Sequence, residues 1–196
     1  MQHGSPVSQP GNGGRFDFVP PQEGRYDFSA VGVDNVSNAE ATPTGNSEAA
    51  TVYDLTPPTA TLPALAQYQT TRAFTVAWTG SDPVPASGGQ PSGVGGYDVQ
   101  YRTAGGAWQS WLADTPTISS LFAGEEGRTY SFRVRARDRA TNSGAWSGVV
   151  TTTVDTLPPV SSASSPAASE SATFAVTWGG TDATSGVAGY DLEVQV

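Results

Sequence analysis

The stretch Phe74-Thr-Val-Ala-Trp78-Thr-Gly80-Ser-Asp82 recurs as Phe174-Ala-Val-Thr-Trp178-Gly-Gly180-Thr-Asp182. Phe, Val, Trp, Gly and Asp all return at an offset of 100. Further on, Ser92-Gly-Val94 and Gly96-Tyr-Asp98 return as Ser185-Gly-Val187 and Gly189-Tyr-Asp191, and Asp54-Leu-Thr-Pro57-Pro58 returns as Asp155-Thr-Leu-Pro158-Pro159. Self-similarity at one fixed period marks a repeat architecture and takes precedence over local readings.

A second match ties the beginning of the chain to its middle. Tyr26, Phe28, Asp34 and Asn38 align with Tyr130, Phe132, Asp138 and Asn142 at an offset of 104. One whole repeat therefore occupies 56–155. The back half of a preceding repeat lies at 15–55 and the front half of a following one at 156–196. Residues 1–14 read as a disordered leader.

Period-2 alternation gives the secondary structure. Phe74, Val76 and Trp78 share one face against Thr75, Ala77 and Thr79; Tyr97, Val99 and Tyr101 oppose Asp98, Gln100 and Arg102; Tyr130, Phe132, Val134 and Ala136 oppose Ser131, Arg133, Arg135 and Arg137. Antiparallel strands with one face on a core and the other in water have this pattern. Helix formers are few and Lys is absent, so the expected class is all-β.

The 196 residues carry 9 basic groups, all Arg, against 18 acidic ones, for a net charge of −9. That balance disfavours nucleic acid and anionic membrane surfaces as partners. No apolar run reaches the roughly 18 residues of a spanning helix, so membrane insertion is not expected. Cysteine is absent, which removes disulfides and thiol chemistry. The one histidine, His3, lies in the polar leader, so no histidine-based triad or metal site can be assembled and no enzyme is expected.

Trp78 on the second strand, the YDVQYR run on the third, and Leu121 through Phe132 with Tyr130 at the corner position together resemble a fibronectin type III domain. The Asp-x-x-Pro-Pro junctions and the DRATN turn (Asp138–Asn142) are similar to bacterial extracellular versions of that Ig-like fold. The resemblance covers the whole repeat and both halves. It implies tandem β-sandwiches, one complete and two partial, with strands A to G near 59–65, 73–79, 96–103, 107–112, 116–122, 128–138 and 146–154. It also implies an extracellular or cell-surface location.

The same topology draws Asp54 of the linker, Asp82 of the B–C loop and Asp138 of the F–G turn to one pole. No cofactor is expected. Three converging carboxylates are nevertheless what Ca²⁺ would need. The competing reading has Asp138 capping its own turn and Asp82 making an Asx turn. Trp108 and Trp111 form either a sugar-stacking pair or one core plug and one edge cover, and Trp146 is read as packing. Arg133, Arg135 and Arg137 form a stripe that faces either acidic glycans or water, with Asp98 across the strand. Asn35-Val-Ser37 is the one N-glycosylation sequon.

These features predict a structural repeat segment, a spacer, adhesin stalk or fibre subunit. Its partners would be neighbouring repeats or copies of itself head-to-tail, and glycans. The alternative is a carbohydrate-binding or accessory module of a secreted multidomain hydrolase. An exposed, coplanar Trp108/Trp111 pair would favour that alternative.

Overall fold

The computed structural model describes residues 11, 13–41 and 47–195. Most of the leader expected over 1–14 lies outside them. The described residues form strands, turns and irregular segments, with no helix among them.

The complete repeat is a β-sandwich. One face is built from β3 (Thr59–Thr61), β5 (Ala73–Ala77), β6 (Thr79–Ser81) and β9 (Ser119–Ala123), with β3 paired to β6 and β5 to β9. The other is a five-stranded sheet in the order β4 (Tyr68–Gln69), β11 (Val150–Val154), β10 (Thr129–Asp138), β7 (Val94–Thr103), β8 (Gln109–Thr115). The central pairing is antiparallel, with Phe132 opposite Tyr101 and Val134 opposite Val99.

Burial follows the alternation. Trp78 is 1 % exposed, and Val76, Val99, Phe132 and Val134 are fully buried, while Thr75 and Thr79 face water. Tyr101 was expected inside with them; it is half-buried at the rim, where its hydroxyl donates to Gln109 Oε1 at 2.9 Å. Trp78 Nε1 donates to Thr117 O at 3.0 Å, so the largest core side chain leaves no orphan donor. Tyr130 ties down the turn before its own strand, its hydroxyl accepting from Glu125 N at 2.9 Å.

Boundaries shift where the backbone forbids pairing. The first strand, expected over 59–65, stops at Thr61, and the chain re-enters the opposite sheet at Tyr68, parallel to β11. Pro63 lies in that crossing and has no N–H to give a ladder. The last strand, expected from 146, pairs only from Val150.

The partial repeats keep the register of the whole one. β1 (Gly24–Phe28) pairs with β2 (Ala49–Tyr53) so that Tyr26 opposes Thr51, as Tyr130 opposes Thr152. β12 (Val160–Ser164) pairs with β13 (Thr177–Thr181) so that Ser161 opposes Gly180, as Ala60 opposes Gly80. The other expected strands of these halves do not form: Phe174 to Val176 and Gly189 to Gln195 carry no ladder. In the whole repeat the equivalent residues pair with β9 and β10, and the following half has no such partners among the described residues. Core positions are correspondingly bare, with Trp178 49 % and Phe174 59 % exposed where Trp78 and Phe74 are buried.

Candidate functional site at the repeat junctions

Asp54 opens the linker and is 4 % exposed. Its carboxylate accepts from Thr56 N at 3.0 Å and from Ser92 N of the loop between β6 and β7 at 2.7 Å. Its carbonyl accepts from Asn142 Nδ2 at 2.9 Å. The linker backbone is thus held from two loops of the repeat it enters.

Asn142 is available for this because the turn after β10 closes on itself. Asp138 takes Asn142 N at 2.8 Å and Asn142 Nδ2 at 2.7 Å, with Thr141 in the left-handed region at φ 75°. The preceding repeat builds the same turn: Asp34 takes Asn38 N at 2.8 Å and Asn38 Nδ2 at 2.7 Å, with Ser37 at φ 71°. An Asp side chain satisfying its own turn explains why Asp and Asn recur at this spacing. Asn35 of the sequon is exposed on this turn.

From the other side, the turn before β1 reaches the linker. Glu23 accepts from Leu55 N at 2.6 Å and Thr56 Oγ1 at 2.9 Å. At the second junction Glu126 accepts from Thr156 N at 2.7 Å and Thr156 Oγ1 at 2.5 Å. Both latches engage the N–H of the residue after the linker aspartate. The repeats also touch directly: a Cβ on Gly89 would collide with the Glu23 carbonyl, so an ordinary side chain there would force the junction open.

Carboxylate oxygens of Asp54, Asp82 and Asp138 lie within 4.8 Å of one another. Asp82 Oδ2 accepts from Gly93 N at 2.6 Å, pinning the far end of its loop rather than its own turn, while Oδ1 is buried without a partner. Burial pushes the Asp82 carboxyl above the ordinary aspartate value, and repulsion from Asp54 and Asp138 pushes the same way. Burial acts likewise on Asp54, but the donors from Ser92 and Thr56 outweigh it and hold that carboxyl low. Chemically, the cluster offers a place for a proton or for a hard cation such as Ca²⁺, which takes oxygen ligands.

On the outer face of β7 and β10 the two tryptophans part company. Trp111 packs inward against Trp78, Phe122 and Phe132 at centroid distances of 6.3, 5.2 and 5.9 Å, so the Trp108/Trp111 stacking pair is not formed. With Trp111 on β8 and Trp108 in the extended residue just before it, three positions apart, the two rings point to opposite faces. Trp108 lies under Arg102 and Arg133, at 4.6 and 4.3 Å, and Trp146 under Arg133 and Arg135, at 4.5 and 4.8 Å. Asp98 pairs with Arg135 at 2.9 Å and Arg137 at 3.3 Å.

No family model and no curated protein matches the chain. Solved structures that it is similar to include the fibronectin(III)-like modules of CbhA from Clostridium thermocellum, at 16% identity and TM-score 0.37, covering 68% of this chain and 63% of that one. Two more are a β-1,2-glucanase from Parabacteroides distasonis (19%, TM-score 0.37, covering 51% and 13%) and the twitchin kinase region of C. elegans (19%, TM-score 0.35, covering 53% and 17%). The chain thus spans less than two thirds of each of these chains.

The Glu latches escape a reading of the sequence by motif, because the acid sits in a turn of one repeat and its partner in the linker to the next. A signal was present: Glu23 and Glu126 stand shortly before the corner residues Tyr26 and Tyr130, and each linker carries a Thr within two residues of its Asp. The Trp–Arg stacking was also hidden, since Trp146 belongs to a segment that joins no ladder.

Proposed function

We propose that the chain is a structural repeat segment of a secreted or cell-surface protein, a stalk or spacer that holds successive sandwiches at fixed angles. The observation that carries this reading is the duplicated junction. Glu23 to Leu55 and Thr56, and Glu126 to Thr156, are the same latch on two successive linkers. Each linker continues into Pro-Pro, which restricts the backbone on its own account. A flexible tether would need none of these contacts.

The bare faces at both ends, with Phe16, Phe18, Trp178 and Tyr190 exposed, fit neighbours that complete them, either further repeats or other copies head-to-tail. In this reading the carboxylate cluster is a part of the junction that a proton or Ca²⁺ would tighten. Among the described residues no helix is long and apolar enough to cross a membrane.

Because cysteine is absent, paired spin labels test the reading cleanly. Labels at Thr51→Cys and Thr151→Cys span the first junction, and Thr75→Cys with Thr151→Cys is the control within one repeat. The expected distance distribution across the junction is as narrow as the control. A distribution several-fold broader would exclude a rigid spacer.

A further inference from the structure

Four arginines, Arg102, Arg133, Arg135 and Arg137, share the outer face of β7 and β10 on a chain whose net charge is −9. Their counter-charge is short. Asp98, backed by the N–H of Asp114 at 3.0 Å, serves Arg135 and Arg137 together. Arg133 spends two N–H groups on the neutral Gln100 Oε1, at 3.0 and 2.7 Å. Arg102 has no ion pair and no side-chain hydrogen bond among the described residues, and it lies against Trp108.

Geometry fixes what such a face can take. The indoles alternate with guanidiniums in the order Arg102, Trp108, Arg133, Trp146, Arg135, so the ring faces are already covered by cations. Stacking of a neutral sugar on Trp108 or Trp146 is therefore not on offer. What remains for a ligand is the N–H fork of Arg102, which no side chain of the described residues takes, and the Nη1 side of Arg133, whose Nε and Nη2 serve Gln100; such forks match a carboxylate or sulfate. Stacking holds these forks in place before any ligand arrives, which reduces the entropy lost on binding. Burial, and repulsion from Arg102 and Arg135, already pull Arg133 below the ordinary arginine value, as a site short of anions should. The face is an open sheet surface with repeated donors along a strand, spaced by about 6.6 Å per two residues. That suits an extended polymer with regularly spaced anions.

We propose that this face binds a linear anionic polysaccharide, its carboxylate or sulfate groups taken by Arg102 and Arg133. Nucleic acid is disfavoured because its bases need an open aromatic face to stack on, and both indoles already carry guanidiniums.

The test is calorimetric titration of the full chain with polygalacturonate, heparin, neutral dextran and single-stranded DNA at 50 and 200 mM salt. Expected is binding of polygalacturonate or heparin that weakens at least tenfold at the higher salt, with none to dextran and far weaker binding to DNA; whichever polymer binds names the anion. Arg102→Gln should lower affinity at least fivefold with the fold retained by circular dichroism, while Arg15→Gln leaves affinity unaltered. If the variant Arg133→Gln destabilises the fold, Arg102→Gln still decides. Failure of both anionic polysaccharides at 50 mM salt, equal binding by Arg102→Gln, or equal binding of DNA would each overturn the proposal.

Discussion

Replacing Asp82 by Asn removes one of three mutually repelling carboxylates at the first junction while keeping an oxygen for Gly93 N. Two charges 4.8 Å apart, the widest separation in the cluster, repel by about 3 kcal/mol at an effective dielectric of about 20. Part of that is offset in the variant, because the bond from Gly93 loses its ionic acceptor, at a cost of about 1 kcal/mol. The net expectation in metal-free buffer at pH 7 is a gain on the order of 1–2 kcal/mol, or roughly 4–8 °C per kcal/mol for a domain of this size. The sign against pH follows from the direction of the shift. A carboxyl whose folded value is raised is neutral and harmless below its unfolded value of 3.8, and its penalty grows as pH rises through the folded value. The variant's advantage should therefore open between about pH 4 and neutrality and vanish in acid. Denaturant melts in chelator from pH 3.5 to 8 measure it. A variant less stable than wild type at pH 7, with a gap that does not depend on pH, would refute the reasoning. Repeating the melts in millimolar Ca²⁺ adds the cation arm: if the cluster holds the ion, the wild type gains about 3 kcal/mol at a hundredfold excess over Kd and Asp82→Asn gains nothing.

Trp78→Ala should cost about 3–5 kcal/mol, because a ring 1 % exposed leaves a cavity and strips the Thr117 carbonyl of its donor; chemical denaturation reads it directly. Asp98→Asn should lower stability at pH 7 by on the order of 1 kcal/mol. Burial opposes the Asp98 charge, but the Asp114 N–H, Arg135 and Arg137 hold its pKa below 3.8, so the wild type's advantage should fade as pH falls from about 4 through that lowered value. Glu126→Ala should leave the melting of the complete repeat nearly unchanged yet raise amide exchange at Thr156 at least tenfold, since its bonds lie on the linker.

The complete repeat was legible because each of its strands buries one face, so alternation survives in Phe74-Thr-Val-Ala-Trp78 and Tyr130-Ser-Phe-Arg-Val134. Offsets of 100 and 104 then placed the partial repeats. Convergence of Asp54, Asp82 and Asp138 followed from topology once the loops were assigned to one pole. What stayed hidden depends on pairs far apart in sequence with no period of their own. Glu23 with Thr56 and Arg133 with Trp146 leave no local pattern. Exposure of Phe174 and Val176 is legible by contrast: their alternation is intact, but a strand needs a partner, and none of the described residues supplies one.

The central claim is that the linkers are as ordered as the strands they join. Backbone ¹⁵N relaxation on the uniformly labelled chain tests it at Asp54, Leu55, Thr56, Asp155, Thr156 and Leu157, whose N–H groups are available as probes. The account predicts order parameters of about 0.85 at these residues, equal to those of β7 and β10. Values below about 0.6, with the strands still rigid, would make the junctions flexible tethers and contradict it.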